Sequence, residues 1–466
     1  MHFDLISRDT ICAISTAPGM GAIALIRLSG AKAIQYATSI FSSASPKFSV
    51  SSLRSQRQYF GRIYDDRQLL DEVLLTVFRA PHSYTGEDMA EISCHGSLYI
   101  QRRIMELLMD CGARPALAGE FTMRAFANKK LDLAQAEAVS DLIASNSKTT
   151  HELAIKQMRG VFSQKIGSLR QQLVDFAALL ELELDFSEED VEFADRARFN
   201  QLIGQMQEEI AALLDTFKTG NAIKHGIPVA IIGKPNAGKS TLLNAILNEE
   251  RAIVSEIPGT TRDAIEDTII IGGYNFRFID TAGLRQSDDV IENIGIERTY
   301  EKIQQASIIL YVCDMSECQG SMADELLNDF RHLIEDESKH FILIGNKIDM
   351  LDQTPDHFRD FVELETIFVS AKRKENIQLI TDSLLKAVQR FAINADTVVS
   401  NARHYHALQR ASASLALVQQ QFSENLPTDL IASELRQALY YLGSITGQIS
   451  NDEVLGSIFS KFCIGK

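Results

Sequence analysis

The sequence predicts a multidomain chain that mixes α/β with all-α structure. An N-terminal α/β domain comes first, followed by a discontinuous helical domain with a second α/β domain, of the P-loop kind, inserted into it. Three observations predict this. The length is 466 residues, which at about 150 residues per domain gives roughly three domains. The pattern reads as mixed α/β to about residue 130, as helices from 131 to about 217, as strands alternating with helices from 227 to about 391, and as helices again to the end. Gly233-Lys234-Pro235-Asn236-Ala237-Gly238-Lys239-Ser240 matches GxxxxGK[ST] between a strand-like and a helical run. Two helical blocks around one α/β block predict an insertion, which is tolerated where an inserted domain's ends lie close together. The expected boundaries are 1–130, 131–220, 221–388 and 389–466.

Within 1–130, Ile11 to Ser15 and Ala22 to Leu28 read as strands joined by the turn-rich Ala17-Pro18-Gly19-Met20-Gly21, and Val73 to Phe78 as a third. From Leu131, the positions Leu133, Ala134, Ala138 and Leu142, then Leu169, Leu173, Phe176 and Leu180, recur at helical spacing. The acidic run Asp185-Phe186-Ser187-Glu188-Glu189-Asp190 interrupts them and reads as a solvated inter-helix turn rather than a metal site. Helical spacing returns through Leu408, Leu415, Leu435, Leu442, Leu455 and Phe459. Ser450-x-x-Glu453 forms a capping-box signature ahead of the last run.

Composition narrows the function classes. The chain is 45% hydrophobic and 23% charged, ordinary for a soluble globular protein. No run approaches the roughly 18 apolar residues of a membrane span. Met1-His2-Phe3-Asp4 lacks a secretory n-region, so a cytoplasmic protein is expected. Six cysteines form no CxxC pair, which disfavours zinc ribbons and disulfide frameworks. Cys463 lies four from the end, but Gly465 and Lys466 fit a prenylation box poorly. The net charge of −16 argues against wholesale electrostatic capture of nucleic acid. Residues 1–130 carry 15 basic and 12 acidic groups, and 389–466 carry 6 of each, so the negative excess lies in 131–388.

The P-loop match follows Val229-Ala230-Ile231-Ile232 and precedes Leu242 to Leu247. Its glycines let backbone amides, with Thr241 next in line, close around phosphates at a helix start. Lys239 would reach the β/γ-phosphates and the Ser240 hydroxyl would ligate Mg²⁺. Four further motifs follow in order. Thr260-Thr261-Arg262-Asp263 offers Thr261 to the same Mg²⁺. Asp280-Thr281-Ala282-Gly283 follows a strand-like Phe276 to Ile279, with Asp280 suited to hold the metal through water and Gly283 to sense the γ-phosphate. Asn346-Lys347-Ile348-Asp349 offers a carboxylate to guanine's N1–H and N2–H₂, a donor pair adenine lacks. Ser370-Ala371-Lys372 suits the guanine O6 side. Together they predict a Ras-like GTPase domain. Leu284 stands where small GTPases place a water-orienting glutamine. An apolar side chain cannot orient water, and Asp288, Asp289 and Glu292 are the next carboxylates along.

Gly233 to Ser240, Gly259-Thr260-Thr261-Arg262-Asp263, Asp280 to Arg285 and the closing Phe462-Cys463-Ile464-Gly465-Lys466 resemble the MnmE (TrmE) family of tRNA-modification GTPases. Thr85-Gly86-Glu87-Asp88, His95-Gly96, Gly119-Glu120-Phe121-Thr122 and Lys130 to Glu137 fit the same family, so the resemblance spans the whole chain. It implies a K⁺ ion in place of an arginine finger, held by Asn236 with Ser255, Ile257 and Thr260. Glu256, Pro258 and Gly259 complete the loop over the nucleotide. Glu292 falls at the family's water-activating glutamate, and Arg285 is the rival reading as an in-cis arginine finger, with a loop salt bridge as its alternative. The N-terminal domain would be folate-binding-like and would mediate homodimerisation. Arg27, Glu91, Lys130 and Lys466 would hold 5-formyltetrahydrofolate or a related tetrahydrofolate, with Cys463 a candidate nearby. Read without the family, Arg27 and Lys130 would be snorkelling surface residues.

The resemblance further implies joint action with an FAD-containing partner, MnmG (GidA), in a heterotetramer of two subunits each. The pair would add a carboxymethylaminomethyl-type group to C5 of the wobble uridine (position 34) of certain tRNAs. The rival classes are a ribosome-assembly RNA-binding GTPase switch and a purely regulatory dimerising GTPase. The balanced charge of 389–466 and the lack of a GXXG-bearing stretch there count against the first.

Overall fold

A seven-stranded sheet organises the N-terminal region, in the order β3-β4-β5-β6-β2-β1-β7. Its strands are β1 (Ile11–Ile14), β2 (Ile23–Ser29), β3 (Phe41–Ser43), β4 (Arg57–Asp65), β5 (Gln68–Phe78), β6 (Met89–His95) and β7 (Arg114–Pro115). This computed structural model describes residues 9–44, 53–185, 196–249, 267–279, 303–317, 330–331, 333–336, 339–351, 365–391, 397–424, 426–449, 452–460 and 462–465. The period of two in β2 and β6 sorts their side chains by face. Ala24, Ile26 and Leu28, with Ala90, Ile92 and Cys94, are buried with Ile104 and Leu108 of the helix Leu98–Asp110. Arg27 and Glu91 take the opposite face, directly paired across the β2–β6 ladder.

The strands Ile11–Ile14 and Ile23–Ser29 match the sequence expectation within a residue or two. Val73 to Phe78 is the second half of a longer strand that forms a hairpin with Arg57–Asp65. The expected helical stretch after Leu131 comprises Leu133–Ala144, Lys148–Met158, Val161–Asp185 and Arg196–Asp215. Aromatic packing ties these helices to the later block. Phe176 stacks on Phe199 at 3.7 Å between centroids, and Phe199 packs on Phe422 at 4.2 Å. The acidic turn after Asp185 and the Ser450 cap lie outside the described residues.

A six-stranded sheet organises the second α/β region, in the order β13-β12-β11-β8-β10-β9. It comprises β8 (Ile227–Gly233), β9 (Asp267–Ile271), β10 (Tyr274–Phe278), β11 (Ile308–Asp314), β12 (His340–Asn346) and β13 (Thr366–Phe368). All neighbours are parallel except the β9–β10 hairpin. Every residue of β11 is buried, as a parallel strand covered on both faces requires. The helices Lys239–Glu249 and Ile377–Phe391 share one apolar cluster with the sheet. The chain enters and leaves this region side by side. The Val399 amide donates to Thr216 Oγ1 at 3.0 Å, and Phe217 stacks on Tyr405 at 4.2 Å.

By contact density the chain forms two units. One comprises Met1–Ile143, Ile155–Ile203 and Ala413–Lys466, and the other Ala144–Ala154 and Gly204–Ser412. Among the described residues no helix is long and apolar enough to cross a membrane.

Candidate functional site

Three of the five motifs meet at the carboxyl ends of parallel strands, where open α/β sheets bind ligands. Gly233 ends β8 and opens the phosphate loop. A Cβ there would lie 2.2 Å from the Val312 carbonyl on β11, so the strand pairing leaves no room for a side chain. Gly238 has φ of 91°, and a Cβ on it would lie 2.3 Å from Asn346 Nδ2. Asn236 adopts φ of 60° and is exposed at the loop's crest. Lys239, Ser240 and Thr241 open the helix Lys239–Glu249, whose first amides have no carbonyl behind them within the helix. That is the arrangement that receives phosphate oxygens. Lys239 Nζ donates to the carbonyls of Gly233 and Lys234 at 2.9 and 2.8 Å, so its ammonium bridges the loop it would serve.

Asn346 ties the motifs together. It is buried at the end of β12 and donates Nδ2–H to the Ala237 carbonyl at 2.9 Å. Its Oδ1 accepts the Ala371 amide at 3.0 Å. One carboxamide thus joins the phosphate loop to the loop after β13. Asp349 Oδ1 accepts the Ser370 hydroxyl at 2.7 Å, and that hydrogen bond holds the carboxyl below its ordinary range. Ser370 Oγ also accepts the Arg373 amide at 3.1 Å. Lys372 is exposed beside them.

Sequence reasoning missed Asp314. It ends β11, and its Oδ2 takes Lys347 Nζ at 2.5 Å while Oδ1 accepts the Ser316 amide and hydroxyl. Burial pushes this carboxyl up, but the Lys347 and Ser316 hydrogen bonds outweigh it and the net shift is downward. Lys347 itself sits at φ of 66°, the left-handed region, so the ion pair fixes a residue whose backbone is constrained as well. The only local signal was a carboxylate closing an apolar strand.

The remaining nucleotide-site expectations fall outside the described residues: Ser255, Glu256, Ile257, Pro258, Gly259, Thr260, Thr261, Asp280, Thr281, Ala282, Gly283, Leu284, Arg285 and Glu292. Lys466 does too. Of the six residues expected around Mg²⁺ and K⁺, Ser240 and Asn236 are therefore placed. Both stand at the phosphate end of β8, Ser240 as a hydroxyl in the first helical turn and Asn236 as a carboxamide on the crest.

A second cluster lies on the N-terminal sheet. Arg27 pairs with Glu91 through Nε at 2.9 Å and Nη2 at 2.8 Å. Its guanidinium lies over the rings of Tyr84 and Phe121, 5.6 and 5.8 Å from their centroids. Arg27 is thus no surface snorkeller, since its guanidinium is held by a carboxylate and two rings rather than left in water. The chain's last turn comes to the same place. The Gly465 carbonyl accepts from Ser15 Oγ at 3.1 Å and Arg27 Nη1 at 3.4 Å, and Ile464 bridges to Ala118. Cys463 is exposed, and its carbonyl accepts the Gly119 amide. Lys130 is not brought into contact with Arg27 or Glu91. It is exposed and donates to the Pro81 carbonyl at 3.1 Å, on the loop that also carries Tyr84. A carboxylate paired to an arginine between two aromatic rings suits a flat, polar-edged heterocycle.

That loop is anchored by a charge network in which Glu87 and Glu120 belong to motifs quoted above, while Asp9, Arg114 and Arg124 were not singled out in the sequence. Arg124, 1% exposed, pairs with Asp9, Glu87 and Glu120. Arg114 adds a second pair with Asp9 and Glu120, and Ser29 Oγ donates to Glu87 at 2.7 Å. Burial pushes the Glu120 carboxyl up, yet Arg114, the Leu117 amide and Arg124 together hold it below its ordinary range.

Comparison with known proteins covers both regions. A family model described as the MnmE helical domain matches residues 133–463, and one described as the GTP-binding protein TrmE N-terminus matches residues 10–130. A tRNA modification GTPase MnmE of Flavobacterium psychrophilum is 50% identical over 99% of this chain and 100% of its own length. Proteins of the same name from Flavobacterium johnsoniae and Cytophaga hutchinsonii are each 48% identical, over 99% and 98% of this chain and 100% and 98% of theirs.

Proposed function

The chain belongs to the MnmE family of tRNA modification GTPases, and from that premise we propose a K⁺-stimulated GTP hydrolase of wobble-uridine modification. The observation that carries the nucleotide reading is the Asn346 bridge, which locks the phosphate loop and the base loop into one site. Binding GTP would draw Lys239 from the Gly233 and Lys234 carbonyls to the β/γ-phosphates. Asp349, already charged and oriented by Ser370, would accept guanine's N1–H and N2–H₂. Ser240 and Thr261 would hold Mg²⁺, and Asn236, Ser255, Ile257 and Thr260 would hold K⁺. These cations offset charge on the transferring phosphoryl group. Glu292 would align the attacking water that Leu284 cannot.

The Arg27–Glu91 cluster is proposed as the tetrahydrofolate site, with the basic groups Arg27, Lys130 and Lys466 suited to the anionic tail. Glu91 would pair with the pterin's amino edge. The one-carbon unit would end on C5 of the wobble uridine in concert with an FAD-bearing partner, MnmG, and a homodimer of this chain in the cytoplasm. In this reading the flavin of that partner supplies the redox equivalents. Mass analysis of wobble uridines from cells lacking this protein tests the whole reading. The expected result is loss of the C5 substituent, and unchanged nucleosides would sink it.

A further inference from the structure

The β9–β10 hairpin turns at Gly272 and Gly273, with φ of 57° and 85°, the two left-handed positions of a tight two-residue turn. In sequence, β9 follows the segment carrying Thr260 and Thr261, and β10 leads into Asp280. One short hairpin therefore joins the two segments assigned to the metal and the γ-phosphate. Since β10 runs parallel to β8, its first residues lie at the end of the sheet away from the phosphate loop. The hairpin tip is held there from two sides. A Cβ on Gly272 would lie 2.6 Å from Leu385 of the helix Ile377–Phe391. On the other side the Gly273 carbonyl accepts both the Thr149 amide, at 3.2 Å, and the Thr149 hydroxyl, at 2.9 Å.

Thr149 lies in the first turn of the helix Lys148–Met158. Ser147 and Thr150, both buried, cap that helix reciprocally: each amide donates to the other's hydroxyl oxygen, at 3.1 and 3.3 Å. The Thr149 amide is another of the donors a helix start leaves over, and the hairpin carbonyl takes it. This helix begins in the unit that holds the six-stranded sheet and ends in the other unit.

We infer that Thr149 is a positioning residue for GTP hydrolysis: by clasping the Gly273 carbonyl it fixes the β9–β10 hairpin, which in sequence lies between the residues assigned to the metal and to the γ-phosphate. The inference rests on the GTPase reading above. Thr149 touches neither the phosphate loop nor the base loop, so its loss leaves nucleotide affinity alone and acts on turnover.

The test uses the full chain. Thr149→Val keeps the shape and removes the hydroxyl donor, while Thr149→Ser keeps the donor. Single-turnover GTP hydrolysis, GDP affinity and amide hydrogen exchange are measured on both. Thr149→Val should slow hydrolysis about fivefold, the factor that one neutral hydrogen bond of about 1 kcal/mol represents. Exchange should quicken across 267–279 and stay unchanged across 239–249, with GDP affinity unaltered and Thr149→Ser near wild type. Wild-type hydrolysis in Thr149→Val would overturn the inference alone. So would a parallel loss of GDP affinity with faster exchange throughout the domain, the signature of general loosening. A wild-type chain that hydrolyses no GTP would overturn the GTPase reading itself, and the inference with it.

Discussion

Replacing Asn346 with alanine should cost the site more than any other single truncation among the described residues. The asparagine is 2% exposed, and its two partners, Ala237 and Ala371, are 1% and 4% exposed. Truncation strands the Ala237 carbonyl and the Ala371 amide where neither readily reaches water. An unsatisfied buried backbone group costs about 1–3 kcal/mol, so the pair sets an upper range of about 2–6 kcal/mol. Without nucleotide, the two loops can separate and recover part of that. Bound guanine nucleotide requires both loops in place and forfeits the recovery. Taking about 1.5–3 kcal/mol as the share that falls on binding, GDP affinity should drop roughly ten- to hundredfold. Asn346→Asp is the informative companion. It keeps an acceptor for the Ala371 amide but sets a carboxylate oxygen against the Ala237 carbonyl, so it should bind no better than alanine. Calorimetric GDP titration gives the affinity, and the GDP-induced rise in melting temperature reports it independently. A folded Asn346→Ala protein that binds GDP within threefold of wild type would refute the idea that this carboxamide couples the loops.

Four further outcomes are expected. Asp349→Asn should weaken GTP more than about tenfold, the scale of a charge-assisted hydrogen bond, and shift preference to xanthine nucleotides, read by competition binding. Arg27→Ala combined with Lys130→Ala should weaken 5-formyltetrahydrofolate binding in calorimetry while GTP turnover stays intact; undiminished folate affinity returns both residues to structural roles. Hydrolysis should be faster in KCl than in matched NaCl, Asn236→Ala should lose that difference, and Glu292→Ala should cut turnover by about 10²–10⁴ with GTP affinity kept. Glu120, whose ordinary value is 4.5, is lowered in the fold. The folded state therefore holds the proton less tightly than the unfolded chain, and the stabilisation is complete above about pH 4.5 and lost as pH falls through the native value. Acid unfolding of the N-terminal region, followed by hydrogen exchange, should begin below that point, and Glu120→Gln should flatten this limb.

What was legible in the sequence, and what was not, follows from where each signal resides. That Gly233 to Ser240, Asn346 to Asp349 and Ser370 to Lys372 each lie at the end of a strand was readable because the motifs have fixed local spacing and the runs before them are apolar. The β4–β5 hairpin was only half seen. Its turn residues, Asp66 and Arg67, take φ of 43° and 72° without a glycine or asparagine between them, so the usual turn signal is missing. Asp314 and the Arg124 network were invisible for a different reason. Lys347 lies 33 residues from Asp314, and Arg124 lies 115 from Asp9, so no short window contains those pairs, while Arg124 and Glu120 at i,i+4 read only as an ordinary helix-surface pair. Arg27 makes the same point. Its pairing with Glu91 spans 64 residues, and its contact with the Gly465 carbonyl spans 438. Sequence spacing offers nothing over such distances, and only a family resemblance could suggest that these residues meet. The fold supplies the physical reason: strand pairing sets Arg27 beside Glu91 on the face opposite the helix Leu98–Asp110, where Phe121 of the helix Glu120–Ala127 and the Gly465 carbonyl meet the guanidinium.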